Sequence, residues 1–314
     1  MQDTSKASVT FQTIDADDAG QRLDNYLLRH LKGVPKSHVY RIVRAGEVRV
    51  NKGRADVTYR LQAGDIVRIP PVRVAEKPDT STAVAAAQHV EIPVIYEDEA
   101  IIALNKPAGI AVHGGSGVSF GVIELLRAQR PQAKFMELVH RLDRDTSGIL
   151  MVAKKRSALT ALHEVLREGH QIDKRYLAMV KGTWPHERNH VKFKLLKYET
   201  PDGERRVKVS DDGLTSHTIV NRREIRGAYS LVECELKTGR THQIRVHLAH
   251  SGYPILGDDK YGDPLLNKIL PRQGLKRMFL HAWRLTFNHP LSGQTLELVA
   301  PLPPELQSFL DTLQ

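Results

Sequence analysis

The sequence predicts an α+β protein with a small basic domain and a larger domain built on a mixed, largely antiparallel β-sheet. The chain has 314 residues, which suggests about two domains and suffices for a full hydrophobic core. Residues 16–74 contain two helical patterns followed by short strands, and residues 91–314 contain longer strands and helices. Residues 75–90 lose apolar periodicity and predict a linker, and residues 1–15 predict a polar tail.

The composition favours a soluble protein with an acidic partner. Lys and Arg number 46 against 36 Asp and Glu, so the formal net charge is +10, which suits nucleic acid or a membrane surface. The single cysteine, Cys234, excludes an internal disulfide and a cysteine-based zinc cluster. The sequence shows neither a signal-peptide apolar region nor an apolar run as long as a membrane span. We therefore expect a cytoplasmic protein without a membrane partner.

In the small domain, two helices are expected to precede the strands. Apolar residues recur at helical spacing over residues 22–31, and Pro35 ends this helix. Ser37 is expected to cap a second helix that runs to Arg44. Residues 48–69 alternate apolar and polar side chains around two turns and predict short strands.

Basic side chains are concentrated in this small domain. Residues 22–60 contain ten Lys or Arg against three acids. Cations spaced along a helix face can neutralise successive phosphates and make binding steeply dependent on salt. A solvated charged face is equally compatible with charge alone. The candidate RNA-binding residues here are Lys36, Arg41, Arg44, Lys52 and Arg54.

The second domain is predicted to consist of many strands and three helices. Apolar runs and alternating patterns mark the strands, and apolar residues at helical spacing mark the helices. The strands are predicted at residues 93–96, 100–104, 149–152, 174–182, 229–236, 279–287 and 295–299, with a strand-like stretch at 189–209. The helices are predicted at residues 119–130, 157–168 and 305–313.

A polar loop before the strand at 149–152 is the best candidate for chemistry. Residues 139–153 read VHRLDRDTSGILMVA, and Asp143 stands between Arg141 and Arg144. Nearby positive charge favours the ionised form of an acid, so Asp143 is expected to be a carboxylate able to act as nucleophile or base. A surface Arg-Asp-Arg turn that only solvates a loop fits the spacing equally well.

Two other patterns suggest nucleotide or metal binding only weakly. Residues 114–117 are rich in glycine, but they lack the GxxxxGK[ST] pattern and the strand-to-helix context of GxGxxG. His242, His247 and His250 would need further ligands to hold zinc, and the lone cysteine is distant in sequence. The sequence therefore predicts neither a nucleotide site nor a metal site.

Four motifs in order resemble those of the RluA-type pseudouridine synthases. They are YEDEAIIALNKPAGIAVHGG, HRLD followed by TSG, KRYLAMVKG and TGRTHQIRVH, and the resemblance covers about residues 16–303. RLDNYL, GEVRVN and AGDIVRI resemble an S4 RNA-binding domain. The resemblance implies that Asp143 is the catalytic aspartate and that the basic side chain of Arg245 pairs with it.

The resemblance also implies a role for Tyr176, and Arg141 is a further candidate site residue. Tyr176 matches the family's active-site tyrosine, which packs against the target uracil and is a candidate for handling the proton at C5. Without the family, plain core packing would be favoured for an aromatic residue in a strand. Arg141 is a candidate for contacting RNA or for filling the space that the uridine vacates.

The implied reaction isomerises uridine to pseudouridine in RNA. The bond from C1′ to N1 breaks, the uracil rotates, and C5 joins C1′, so no cofactor is needed. Asp143 either attacks C1′ or removes a sugar proton, and the sequence leaves both routes open. The resemblance favours 23S ribosomal RNA, or a large-subunit precursor, as the partner. The sequence shows no heptad or exposed apolar stripe that calls for a protein partner, so we expect a monomer.

Two readings from other functional classes stay open at the level of sequence. A non-catalytic RNA-binding or ribosome-assembly factor would keep its molecular functions after Asp143→Ala. A glycosidase or nucleosidase would release free uracil or sugar. A retaining glycosidase would bring a second carboxylate to within ~5 Å of Asp143.

Overall fold

The computed structural model describes residues 9–31, 34–72, 91–114, 120–169 and 171–313. The chain divides into two units, residues 1–82 and 83–314. The predicted linker at residues 75–90, the first eight residues of the predicted tail, and residues 115–117 of the glycine-rich loop lie outside the described residues.

The first unit packs two helices on a small antiparallel sheet. The sheet order is β1-β3-β2. The predicted order of two helices followed by strands is confirmed for residues 16–74, but the predicted tail is wrong in part, because Thr10–Thr13 forms β1 and pairs with β3. Leu23, Val39 and Val67 are fully buried in the core that joins these elements. The elements are β1 (Thr10–Thr13), α1 (Leu23–His30), α2 (Lys36–Arg44), β2 (Arg49–Val50) and β3 (Ile66–Ile69).

The predicted cap of the second helix is wrong. Helix α2 begins at Lys36, its N-cap residue is Pro35, and no side chain makes a capping hydrogen bond. Pro35 has φ −56° and ψ 140°, so the proline ring presets the entry into the helix, and Ser37 falls inside the first turn. The predicted end is confirmed, because Gly46 has a left-handed φ of +74° just after the helix.

The second unit contains one 11-stranded mixed sheet. The order along it is β10-β9-β11-β12-β8-β13-β7-β5-β4, with β14 paired to β13 and β6 paired to β7. Only the contact of β13 with β7 is parallel among the described pairs, so the predicted mixed sheet is confirmed. The strands are β4 (Val94–Glu97), β5 (Ile101–Lys106), β6 (Glu137–Leu138), β7 (Ser147–Ala153), β8 (Ile172–Lys181), β9 (Arg188–Glu199), β10 (Arg205–Val209), β11 (Leu214–Arg226), β12 (Tyr229–Leu236), β13 (Leu280–Asn288) and β14 (Thr295–Val299).

Helices pack on this sheet or follow its strands, and two of them were not predicted. The helices are α3 (Val122–Gln129), α4 (Arg156–Glu168), α5 (Gln243–His250), α6 (Pro264–Ile269), followed by a 3₁₀ turn (Leu270–Gln273), and α7 (Pro304–Thr312). The sequence reasoning missed α5 and α6, as well as strand β11. None of the helices in the described ranges is long and apolar enough to cross a membrane.

Strand β7 fixes the position of the polar loop. All seven of its residues are buried, as predicted for the apolar run, and it lies between β13 and β5. Gly148 has φ +108°, and a Cβ there would lie 2.1 Å from the carbonyl oxygen of Ala282 on β13. Only glycine permits this approach, so the start of β7, and with it the loop that carries Asp143, is held against β13.

Candidate active site

The polar loop between β6 and β7 opens onto a cavity of about 640 Å³. Arg141, Asp143, Tyr176 and Arg245 all line this cavity, although they come from three distant segments of the chain. Asp143 lies in the loop, Tyr176 on β8 and Arg245 on α5. The structure thus brings the three predicted catalytic residues together in one site.

The carboxylate of Asp143 pairs with Arg245 rather than with its neighbours in sequence. The Arg245 Nη1 group donates a hydrogen bond of 3.2 Å to Asp143 Oδ2. Arg144 instead pairs with Asp145, at 3.2 Å, and no described ion pair joins Arg141 to Asp143. Arg245, rather than either flanking arginine, is therefore the arginine that forms an ion pair with Asp143.

A second carboxylate, Asp258, holds Arg245 in place. Arg245 donates from Nε to Asp258 Oδ2 and from Nη2 to Oδ1, each at 2.7 Å. Burial alone would raise the pKa of Asp258 and lower that of Arg245, but their mutual hydrogen bonds and charges outweigh it. The pKa of Asp258 is accordingly lowered and that of Arg245 raised, so both stay charged and the guanidinium is fixed in position.

The sequence reasoning missed Asp258. It lies in the turn of the GDDKYG segment, where Oδ1 also accepts from the backbone N–H groups of Lys260 and Tyr261. Its side chain is only 1% exposed. A polar turn predicts exposed side chains, and the spacing in sequence did not link Asp258 to Arg245.

His242 approaches Asp143, and Tyr261 contacts both His242 and Arg245. His242 Nε2 lies 3.8 Å from Asp143 Oδ2, and its Nδ1 lies 2.7 Å from the Tyr261 hydroxyl. His242 adopts a left-handed backbone conformation with φ +53°, which is uncommon outside glycine. The Arg245 guanidinium packs over the Tyr261 ring at 5.1 Å. His242 was considered only as a metal ligand at the level of sequence, and Tyr261 was not considered.

Tyr176 connects the core of the sheet with the cavity. Its ring packs against two hydrophobic clusters, and its hydroxyl has no hydrogen-bond partner among the described residues. Burial, together with the charge of Asp143, raises its pKa well above the usual range, so the phenol stays neutral. Tyr176 thus packs in the hydrophobic core and also presents a neutral aromatic group to the cavity that contains Asp143.

The polar loop is supported by Lys106, a buried lysine in the first of the four motifs that was not predicted as a site residue. The Lys106 ammonium donates to the carbonyl oxygens of Pro107 and Ile110 at 2.8 Å and of Arg144 at 3.0 Å. All three ammonium protons therefore have an acceptor, and the last acceptor directly follows Asp143. Burial and the charge of Arg277 lower the pKa of Lys106 to about 7.

A chain of hydrogen bonds supports the end of the loop. Arg277 Nη2 donates to Ser147 Oγ at 2.8 Å, and Ser147 Oγ lies 2.9 Å from His281 Nδ1. His281 Nε2 lies 3.2 Å from the carbonyl oxygen of Ala300, which can only accept. Nε2 therefore carries the proton, and Nδ1 accepts from the Ser147 hydroxyl.

The three histidines near α5 point to different partners. His247 Nε2 lies 2.7 Å from Ser216 Oγ, and the His250 ring packs against Phe193. His242 faces Tyr261 and Asp143. Within the described ranges, no group of three or more His, Cys, Asp or Glu side chains is arranged to hold a metal ion.

The predicted RNA-binding residues of the first unit are exposed. Lys36, Arg41 and Arg44 line one open surface depression on α2, together with Tyr40. Lys52 and Arg54 lie at the turn after β2, where Lys52 has φ +69°. Their accessibility agrees with a role in binding, and the role itself stays a prediction.

Comparisons with known proteins agree with these features. Residues 100–250 match the RNA pseudouridylate synthase family, and residues 21–67 match the S4 domain. The chain is 55% identical over 309 residues to "Ribosomal large subunit pseudouridine synthase C" of Pasteurella multocida, covering 98% of this chain and 94% of the relative. The protein of the same name from Escherichia coli K12 is 53% identical over 319 residues, with 99% and 98% covered.

Solved structures of pseudouridylate synthases have a similar fold. "Human RNA Pseudouridylate Synthase Domain Containing 4" superimposes with a TM-score of 0.60 at 25% sequence identity. The match covers 74% of this chain and 97% of the human chain.

Proposed function

The chain belongs to the RNA pseudouridylate synthase family, and we propose that it converts specific uridines of 23S ribosomal RNA to pseudouridine, with Asp143 as the reacting group. The target RNA is inferred from the relatives, whose names place their activity on the large ribosomal subunit. We further propose that the enzyme acts in the cytoplasm as a monomer and without a cofactor.

The observation that supports this function best is the pair formed by Asp143 and Arg245 in the wall of a cavity. The Asp143 side chain is 22% exposed whereas that of Arg245 is 5% exposed, so the carboxylate faces the cavity while its partner lies behind it. A cavity of about 640 Å³ is within the range of ligand sites and suits a nucleotide turned out of its RNA stack. Arg245, held by Asp258, fixes the position of the carboxylate before the substrate arrives.

Isomerisation of uridine requires a carboxylate, an aromatic surface for the uracil and a route for the proton that leaves C5. Asp143 either attacks C1′ or removes the proton from C2′, and each route frees the uracil for rotation. Tyr176 offers a neutral ring for the uracil to stack on. After C5 joins C1′, the C5 proton leaves and N1 gains one, so the overall change is an isomerisation.

A glycosidase needs a second carboxylate that is free to act as an acid. Asp258 is the carboxylate on the far side of Arg245, but it is 1% exposed and both of its oxygens accept from Arg245. It is therefore a positioning residue for Arg245 rather than an acid for a leaving group. This arrangement favours isomerisation over hydrolysis.

The test uses 23S RNA transcribed with tritium at C5 of uridine. Pseudouridine formation replaces the bond from C5 to hydrogen, so we expect tritium to appear in water while no free uracil forms. Chromatography of the digested RNA should then show pseudouridine at discrete sites. Free uracil would support a nucleosidase, and RNA binding with no tritium release on either free RNA or ribosomal precursors would support an assembly factor.

A further inference from the structure

Strand β8 carries a second side chain on the face that bears Tyr176. Lys174 lies two residues before Tyr176, and residues at this spacing point to the same side of a strand, roughly 6–7 Å apart. Both residues line the cavity that contains Asp143. A group bound by Lys174 would therefore lie at about the distance of a neighbouring nucleotide from a base stacked on Tyr176.

The ammonium group of Lys174 lacks a partner. Within the described residues, no hydrogen bond or ion pair reaches its Nζ, although the side chain is partly buried. Burial and the charge of nearby Lys237 both lower the pKa of Lys174. A partly desolvated ammonium beside another cation is unfavourable until an anion enters.

The surrounding charges do not supply that anion. Lys237 also lines the cavity and pairs with Glu235. Arg167 and Arg240 also line the cavity, so most of its charged side chains are basic. Asp143 is paired with Arg245. Glu168 also lines the cavity, and it has an interaction of its own.

We propose that Lys174 binds a phosphodiester group adjacent to the target uridine. Lysine is a point charge that suits phosphate, and RNA is the anion that the proposed function brings to this cavity. Strand β8 then binds the substrate at two points: Tyr176 contacts the uracil base, and Lys174 contacts the RNA backbone. The proposal rests on the proposed function, because it assumes that an RNA uridine enters the site.

The first test removes the charge of Lys174 and follows RNA binding. Lys174→Met should raise the Kd and KM for a 23S RNA fragment about tenfold while kcat changes little, since the phosphate contact is the same in ground and transition states. The slope of log Kd against log salt should become shallower by about 0.7, the value for one lost contact with single-stranded RNA. Lys174→Arg should retain most of the affinity.

Lys268→Met is the matched control, because Lys268 is exposed on α6 and does not line the cavity. It should bind RNA as the wild type does. Thermal unfolding of each variant identifies any loss of the fold. Should Lys174→Met misfold, the same comparison is made with Lys174→Gln.

The second test neutralises the phosphate instead of the lysine. A single methylphosphonate is placed next to the target uridine in a synthetic RNA, first on its 5′ side and then on its 3′ side. One of the two should weaken wild-type binding about as much as Lys174→Met does, and it should have no further effect on the variant. The phosphate site would be overturned if, for both linkages, the loss of RNA affinity caused by the methylphosphonate added to the loss caused by Lys174→Met. An unchanged slope of log Kd against log salt for Lys174→Met would also overturn it. Absence of pseudouridine in wild type with normal RNA would instead overturn the proposed function.

Discussion

At the scale of single residues, the reacting carboxylate takes its environment from residues far away in sequence. Asp143 and Arg245 are separated by 102 positions, and Asp258, 13 positions further, holds the guanidinium from behind. The sequence pointed to Asp143, Tyr176 and Arg245 through motifs that resemble a family. Spacing alone could not reveal Asp258, because its partner is determined by how α5 and the following turn pack.

The first prediction concerns Asp258. Asp258→Asn removes one charge from a buried pair and leaves Arg245 with a weaker and less directional partner. We therefore expect kcat to fall roughly 10- to 100-fold and the free energy of unfolding to fall by about 3 kcal/mol. Asp145→Asn is the control, because Asp145 lies in the same loop but pairs only at the surface with Arg144. Equal kcat for Asp258→Asn and wild type would show that Arg245 needs no second support.

The second prediction concerns the pH dependence of stability through His281. Burial lowers its pKa from 6.5 to about 4 in the folded protein. Between these values the unfolded chain binds more protons, so the free energy of unfolding should fall as pH drops from about 6.5 to about 4. One such histidine contributes about 1.4 kcal/mol per pH unit in this window.

Urea unfolding at several pH values measures this contribution. Tryptophan fluorescence reports on the larger unit, because Trp184 and Trp283 both lie in it. His281→Gln should flatten the pH dependence by about 1.4 kcal/mol per pH unit, whereas His186→Gln, at an exposed position, should leave it unchanged. An equal slope for His281→Gln and wild type would refute the assignment.

At the scale of elements, strands were easier to predict than the helix that carries Arg245. The predicted bounds of β12 and β14 agree with the structure. The sequence of each strand alternates apolar and polar residues with the period of a strand, and a turn lies next to it in the chain. Helix α5 was missed, because Gln243 to Leu248 are all buried and no polar face marks a helical period. Strand β11 was missed because a bulge between Arg222 and Glu224 shifts its alternation.

The third prediction concerns the support of the polar loop. Lys106→Met would leave three carbonyl oxygens without their donor, and each buried unpaired group costs about 1–3 kcal/mol. We expect the free energy of unfolding to fall by about 3 kcal/mol or more, with a loss of kcat because the Arg144 carbonyl adjoins Asp143. Lys155→Met, which removes a surface pair with Glu99, should change stability by less than about 1 kcal/mol. A Lys106→Met protein as stable as wild type would contradict the role given to Lys106.

At the scale of the whole molecule, the sequence predicted two units and their order. The excess of cations in residues 22–60 fitted a solvated face as well as an RNA-binding surface, so the RNA-binding prediction rested on the resemblance of residues 16–74 to an S4 domain, and residues 21–67 match that domain. Local patterns could not give the order of the large sheet. Strand β13, late in the chain, pairs with both β8 and β7 and so joins the segments that bear Tyr176 and Asp143.

The fourth prediction separates binding by the first unit from catalysis by the second. Lys36→Gln, Arg41→Gln and Arg44→Gln together should raise the Kd for 23S RNA and make the slope of log Kd against log salt shallower by about 2. At saturating RNA, kcat should stay within about twofold, because none of the three lines the Asp143 cavity. A fall in kcat with unchanged Kd would contradict this division of roles.

The most direct test of the central claim compares wild type with Asp143→Asn on protein-free 23S RNA. Arg245 keeps its two bonds to Asp258 in this variant, so the fold and the cavity should persist. We predict that the variant binds the RNA with a Kd close to that of wild type and forms pseudouridine at least about 1000-fold more slowly, as mapped by chemical modification and primer extension. Pseudouridine at the same uridines and at a similar rate in Asp143→Asn would show that the reaction does not depend on this carboxylate.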